Sequence, residues 1–148
     1  MMFIELFKIE KKFRLFFFLL LFFFFSFSRT LFPEDIPKRI ISLSPSITEI
    51  LFSIGAGAQV IAVDSFSNYP PEAPITSLSS MNPNMESIAL YNPDLVILSY
   101  DIGDIVKGLN TVGISTILLP AAINFDDIIS QINYLGKKTG NSYNASEV

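Results

Sequence analysis

The chain has 148 residues with no cysteine, histidine or tryptophan, and its formal net charge is −4 at pH 7. This length predicts one domain, or part of a larger one. Without histidine and cysteine the chain lacks the common ligands of zinc and manganese, the base that a serine nucleophile needs, and a disulfide framework. We therefore expect no metal site and no hydrolytic triad.

Residues 1–28 are predicted to be an export signal. They hold eleven of the fifteen phenylalanines and four basic residues, the last of which is Arg14. An uncharged apolar run from Leu15 to Phe25 follows, and Ser26-Phe27-Ser28 offers small residues to a signal peptidase. The run is shorter than the roughly 20 residues that a membrane-spanning helix needs, and an uncleaved signal anchor is the alternative.

Removal of this segment takes away four basic and two acidic residues, which leaves a net charge of −6. That charge argues against nucleic acid and anionic membranes as partners. Because no cysteine is present to carry a lipid, we expect a periplasmic protein that is not a lipoprotein.

Strand-like and helix-like segments alternate after residue 38. Arg39–Leu43 is predicted to be a strand, and Ser46–Glu49 has the pattern of a capping box at the start of a helix. Apolar residues at helical spacing follow, until Gly55-Ala56-Gly57 ends the helix before a second strand at Val60–Val63. The glycine pair resembles the start of a dinucleotide-binding fingerprint, but it follows a helix and lacks the third glycine.

The second half of the chain continues this alternation. Asn82 and Pro83 are predicted to start a helix as N-cap and first residue. The remaining predicted elements are a strand covered on both faces at Leu95–Leu98, a helix at Asp104–Val112, a strand at Ser115–Leu119, and a helix that Asn124 caps and Gly136 and Gly140 close. The alternation predicts an α/β fold: a three-layer, Rossmann-like lobe with a parallel sheet and right-handed crossovers.

The loop Asp64–Ala73 places Phe66 and Tyr69 where a parallel strand ends, the edge at which α/β folds bind ligands. Exposed aromatic rings there suit a large planar ligand. The alternative is that both rings pack onto the sheet while Pro70 and Pro71 stiffen a turn, and the residues alone favour neither. Glu86, in the first turn of its helix, is accounted for by the helix dipole.

Four segments, RIISLSPSITEILF (39–52), VDSFSNYPPEA (63–73), NPNMESI (82–88) and NPDLVI (92–97), occur in an order that resembles the N-terminal lobe of the cobalamin-type periplasmic binding proteins of ABC importers. This family includes receptors for vitamin B12, ferric siderophores and haem. The resemblance covers residues 38–140 and implies two lobes joined by a long helix, with the ligand held between them. It also implies a non-enzymatic protein that delivers its ligand to a membrane permease.

The resemblance implies roles for six residues. Phe66 falls on the ligand-facing aromatic position, with Tyr69 nearby, and Glu86 falls on the acid that pairs with permease arginines. In the cobalamin-binding members a second aromatic contact to the ligand comes from the segment before this acid. The present chain has Ser80 and Met81 in that segment, and Tyr100 is expected to replace part of the missing aromatic contact. Since the chain stops where the linking helix would begin, residues 29–148 are expected to be one lobe of a protein whose second lobe is absent.

The resemblance therefore implies the extracytoplasmic, monomeric substrate-binding component of an ABC importer for a large metal chelate, with no cofactor of its own. Cobalamin or another corrinoid is the first expectation, and a ferric siderophore or haem is the alternative. An exported α/β enzyme is disfavoured because the sequence shows no catalytic constellation. A fragment that folds without binding anything tightly is the last possibility.

Overall fold

Four parallel strands form the centre of the structure, a computed structural model that describes residues 35–148. The strands are β1 (Ile40–Leu43), β2 (Val60–Val63), β3 (Leu95–Leu98) and β4 (Ser115–Leu118), and they lie side by side in the order β2-β1-β3-β4. The α/β prediction with a parallel sheet is thereby confirmed. The predicted export signal lies outside the described residues.

Five α-helices accompany these strands in the described part of the chain. They are α1 (Pro45–Ser53), α2 (Met85–Ala89), α3 (Ile105–Thr111), α4 (Phe125–Thr139) and α5 (Ser142–Glu147), and a short 3₁₀ turn at Gly57–Gln59 precedes β2. Within residues 35–148, no helix combines the length and the apolar character that crossing a membrane requires.

The sheet separates two hydrophobic cores, as a three-layer arrangement requires. On one face Ile40 and Ile97 pack with Leu51 of α1 and Leu135 of α4. On the other face the alternate strand residues pack against α2 and α3, and this core contains Ile41, Val96, Leu98, Ile88 and Leu109. Because the helices α1 and α3 serve crossovers that run in opposite directions along the sheet, right-handed connections place them on opposite faces.

The predicted start of α1 is wrong by two residues. The helix begins at Pro45, with Ser44 as an extended N-cap residue, so Ser46 lies inside the helix and forms no capping box. Proline favours the first helical position because its φ angle is already helical and its missing N–H is not needed there. The Ser46 hydroxyl instead lies 3.2 Å from that of Ser44.

The predicted start of α2 is wrong by two residues. Asn84, rather than Asn82, is the N-cap, and its side-chain oxygen accepts a hydrogen bond from the backbone N–H of Ser87 at 2.7 Å. Both asparagines have the right chemistry for a cap. Only Asn84 stands three residues before an N–H that its side chain reaches.

Gly136 does not close α4, which continues to Thr139 and ends at Gly140 in the left-handed conformation, with φ +75°. Gly136 is instead the point where α5 packs against α4. A Cβ atom placed at Gly136 would lie 2.4 Å from the Cβ of Ala145. The side-chain oxygen of Asn124 accepts from the Asp127 N–H at 2.9 Å, which confirms the predicted cap of α4.

Candidate ligand-binding site

The carboxyl ends of all four strands meet at one edge of the sheet. The chain leaves β1 toward β2 in one direction and leaves β3 toward β4 in the other, so the order of the strands reverses between β1 and β3. The loops on the two sides of such a reversal diverge and leave a crevice, which is where open α/β sheets bind ligands. This edge is therefore the candidate site.

The loop after β2 presents two aromatic rings at this edge. Phe66 is 60% exposed and Tyr69 is 61% exposed. The backbone N–H of Ser65 donates to the carbonyl of Leu78 at 3.0 Å, so the loop is tied to the segment that leads toward α2. The Tyr69–Pro70 peptide bond is cis. The rings are thus displayed to solvent and are not packed down on the sheet.

An open depression of about 510 Å³ lies at the ends of β3 and β4. Its volume falls within the range of small-molecule sites, roughly 300–1,000 Å³. Two of its residues, Met81 and Tyr100, are large and more than half exposed. The full lining is mostly apolar and consists of Met81, Ser99, Tyr100, Asp101, Ile102, Leu118 and Pro120.

The structure brings two of the five predicted ligand residues, Met81 and Tyr100, into this depression. Phe66, Tyr69 and the half-buried Ser80 are not part of its lining. Phe66 follows β2 and Tyr100 follows β3, with β1 between them. At about 4.8 Å per strand spacing, a ligand that contacts both has to extend over roughly 10 Å of the edge.

Glu86 is the second residue of α2 and is exposed. The cap at Asn84 fixes the first turn of that helix, where an acidic side chain interacts favourably with the helix dipole. Its exposure is compatible both with a dipole interaction alone and with contact to a basic partner.

Two groups of residues at this edge of the sheet were not predicted from the sequence. The first is the part of the depression formed by Leu118 and Pro120, which the end of β4 contributes. The second is a fully buried polar group under the loop after β2, formed by Ser42, Thr48, Asp64 and Ser67. Ser42 gave a signal, since it occupies an inward position of an otherwise apolar strand.

The next question is whether the described residues form a metal site. Between residues 35 and 148, no group of three or more carboxylates is placed to hold a metal ion. The site consists of aromatic, thioether and aliphatic surface with a few polar atoms, an arrangement suited to binding by burial.

The family model for periplasmic binding proteins matches residues 40–148, which is most of the chain. The chain belongs to the periplasmic binding protein family. The resemblance found in the sequence is thereby confirmed. Solved periplasmic binding proteins share the predicted fold.

Two solved structures illustrate this similarity. A vitamin B12-binding protein, BtuF of Vibrio cholerae, is 27% identical with a TM-score of 0.62, and the match covers 75% of this chain and 45% of that one. A possible iron-binding, periplasmic solute-binding protein of Staphylococcus epidermidis is 27% identical with a TM-score of 0.68, covering 76% and 46%.

Relatives compared by sequence carry similar names. YvrC of Bacillus subtilis, an uncharacterized ABC transporter substrate-binding lipoprotein, is 31% identical over 117 residues, or 76% of this chain and 37% of that protein. A vitamin B12-binding protein of Pectobacterium atrosepticum is 44% identical over 64 residues, or 42% and 23%. The chain therefore spans well under half the length of the relatives that it matches.

Proposed function

We propose that the chain is an extracytoplasmic substrate-binding lobe of an ABC importer and that its ligand is a large metal chelate, with a corrinoid as the first candidate. The observation that carries the proposal is the row of exposed aromatic and thioether side chains along the carboxyl edge of the sheet: Phe66, Tyr69, Met81 and Tyr100. On this proposal residues 29–148 form the lobe, and residues 1–28 direct its export to the periplasm.

The width of this row supports a large ligand. A small anion or a single metal ion would contact one loop, whereas the exposed rings follow two strands that are separated by a third. Flat rings bury much apolar area at a low cost in side-chain entropy, which suits a planar macrocycle. The names of the B12-binding relatives favour a corrinoid, and the iron-binding neighbour favours a ferric chelate as the second candidate.

Calorimetric titration of the full chain tests the ligand class. Three probes separate the candidates: cyanocobalamin, haemin and a ferric hydroxamate siderophore. Saturable heat with cyanocobalamin alone supports the corrinoid proposal, and heat with haemin or the siderophore alone shifts the assignment to that chelate. The absence of saturable heat with all three overturns the proposal that this lobe binds chelates.

Glu86 is the proposed contact to arginines of a permease. The proposal follows from the family resemblance and is supported by the exposure of the residue in the first turn of α2. We expect Glu86→Lys to keep the ligand affinity and to lose transport, since a like charge at a basic interface is repulsive. Glu49→Lys, on the exposed side of α1, is the matched control.

The measurement is uptake of labelled cyanocobalamin by cells that contain the permease and each variant of the chain. Normal uptake with Glu86→Lys, or an equal loss with Glu49→Lys, removes the docking role. We also propose that the chain is a monomer, and sedimentation of the purified protein checks this. A non-enzymatic role is proposed because the chain belongs to a family of binding proteins.

A further inference from the structure

Four polar side chains lie under the loop that carries Phe66, and all of them are fully buried. Ser42 belongs to β1, Thr48 to α1, and Asp64 and Ser67 to the loop itself. Polar groups that leave water cost free energy unless they find hydrogen-bond partners inside the protein. A group of four at one place, beside a core that is otherwise hydrocarbon, therefore needs an explanation.

Hydrogen bonds connect the four residues into one chain. The Ser67 hydroxyl donates to Asp64 Oδ1 at 2.5 Å. Because that bond uses the only hydrogen of the Ser67 hydroxyl, Thr48 Oγ1, at 3.1 Å, is the donor toward Ser67 Oγ. Thr48 Oγ1 also lies 2.9 Å from Ser42 Oγ. The loop after β2 is thus bonded by side chains to α1, which lies beside β1.

Backbone bonds hold the same loop on both sides of Phe66. The N–H of Asp64 donates to the carbonyl of Ser42 at 3.2 Å, and the N–H of Ser67 donates to the carbonyl of Asp64 at 3.2 Å. Phe66 thus precedes a residue that is completely buried, while its own ring remains exposed. The base of the loop is fixed and its aromatic side chain is free to meet a ligand.

The arrangement is not the most stable one that the site allows. Asp64 Oδ2 is buried and has no hydrogen-bond partner among the described residues. A buried carboxylate oxygen without a partner destabilises the fold. Buried polar atoms without a partner are found mainly at functional sites, where the geometry of the site matters more than the stability of the fold.

We propose that Asp64, Ser67 and Thr48 are positioning residues that hold the loop of Phe66 and Tyr69 in its ligand-binding conformation. A loop that is already ordered does not have to be ordered when the ligand arrives, so the affinity is higher. The effect on affinity rests on the proposed function, whereas the order of the loop does not depend on any ligand.

Amide hydrogen exchange of the full chain, followed by mass spectrometry, tests the proposal without a ligand. We expect Thr48→Val and Ser67→Ala to speed exchange in the peptide that covers residues 64–69 by about tenfold, the factor that the loss of one buried hydrogen bond allows. Thr48→Ser keeps the hydroxyl and should restore slow exchange.

Thr139→Val is the matched control for Thr48→Val. Both threonines are buried in helices with the hydroxyl oxygen close to the carbonyl four residues earlier, at 3.0 Å for Thr48 and 2.8 Å for Thr139, but Thr139 lies near the end of α4. The control should leave the exchange of residues 64–69 unchanged. Equal exchange in Thr48→Val, Ser67→Ala and the control overturns the positioning role.

Asp64→Asn separates positioning from simple stabilisation. The asparagine keeps one acceptor for Ser67, but an amide oxygen accepts a weaker hydrogen bond than a carboxylate oxygen, so we expect faster exchange of residues 64–69 without a comparable loss of thermal stability. Equal or slower exchange in this variant contradicts the proposal. Cyanocobalamin titration of the same variants then reports affinity: if the unsubstituted chain binds no chelate, the proposed function fails while the exchange result still decides the role of Asp64.

Discussion

Phe66→Ala is the most direct test of the aromatic wall. Phe66 is 60% exposed and lies outside both hydrophobic cores, so its removal leaves the packing of the sheet intact. We expect the free energy of unfolding to change by no more than about 0.5 kcal/mol, as for other surface substitutions. The consequence should therefore be confined to ligand binding.

The size of the effect follows from the exposed area of the ring. A phenylalanine side chain has about 200 Å² of surface to bury, and 60% of it leaves roughly 120 Å² available to a ligand. At about 25 cal/mol per Å² this area contributes at most about 3 kcal/mol, or roughly a hundredfold in Kd. The measured loss should lie below that limit, because a ligand rarely covers all of a ring.

Calorimetric titration with the chelate that binds the unsubstituted chain measures the change in Kd, and circular dichroism confirms the fold. Tyr143→Ala is the control, since this ring is 77% exposed on α5. The neighbouring Asn144 donates to the carbonyl of Ile54 at 3.1 Å, which places α5 near the end of α1 that leads back to the start of β2. An unchanged Kd for Phe66→Ala, or an equal loss in Tyr143→Ala, refutes the assignment of Phe66 to the site.

Three further predictions concern stability and are checked by urea unfolding. Leu51→Ala removes a fully buried side chain between the sheet and α1, and should lower the free energy of unfolding by about 3 kcal/mol because a cavity remains. Gly136→Ala should cost about 1–3 kcal/mol, since the new methyl group would lie 2.4 Å from the Cβ of Ala145, a clash that outweighs the better helix propensity of alanine. Asn84→Ala removes the N-cap of α2 and should cost about 1 kcal/mol.

Controls separate these causes. Gly108→Ala, in α3, meets only the flexible Met85 sulfur at 3.1 Å, so it should be neutral or stabilising, and a loss as large as that of Gly136→Ala contradicts the steric argument. Adding Ala145→Gly to Gly136→Ala should recover stability. Asn84→Asp should keep the stability that Asn84→Ala loses, because aspartate also caps a helix. For Leu51→Ala, a loss of less than about 0.3 kcal/mol in the free energy of unfolding would contradict the place of Leu51 in the core.

The sequence by itself determined the order and type of the elements. All four strands and the helices between them lie where short apolar runs and 3.6-residue periodicity predict them, because burial on a two-sided parallel sheet imposes these patterns on neighbouring residues. The residues of the loop after β2 and the four family segments also pointed to the correct family. These are local properties, which a linear sequence displays directly.

Helix starts were less predictable, since Ser46 and Asn82 have the same capping chemistry as the residues that actually lie at those starts, Ser44 and Asn84. The choice between equivalent caps depends on which register buries the apolar face. Likewise, the spacing of the apolar residues in α4 does not tell which of them are buried. The structure buries Leu135 and leaves Phe125 and Ile129 exposed.

Only the tertiary structure decided what surrounds the loop from which Phe66 and Tyr69 extend. The strand order places Tyr100 two strands away, and gathers Met81, Leu118 and Pro120 around it from two other segments of the chain. It also buries Ser42 and Thr48 beside Asp64 and Ser67. The depression thus brings together residues up to 39 positions apart, from Met81 to Pro120. This follows from the order of the strands, which periodicity along the chain does not record.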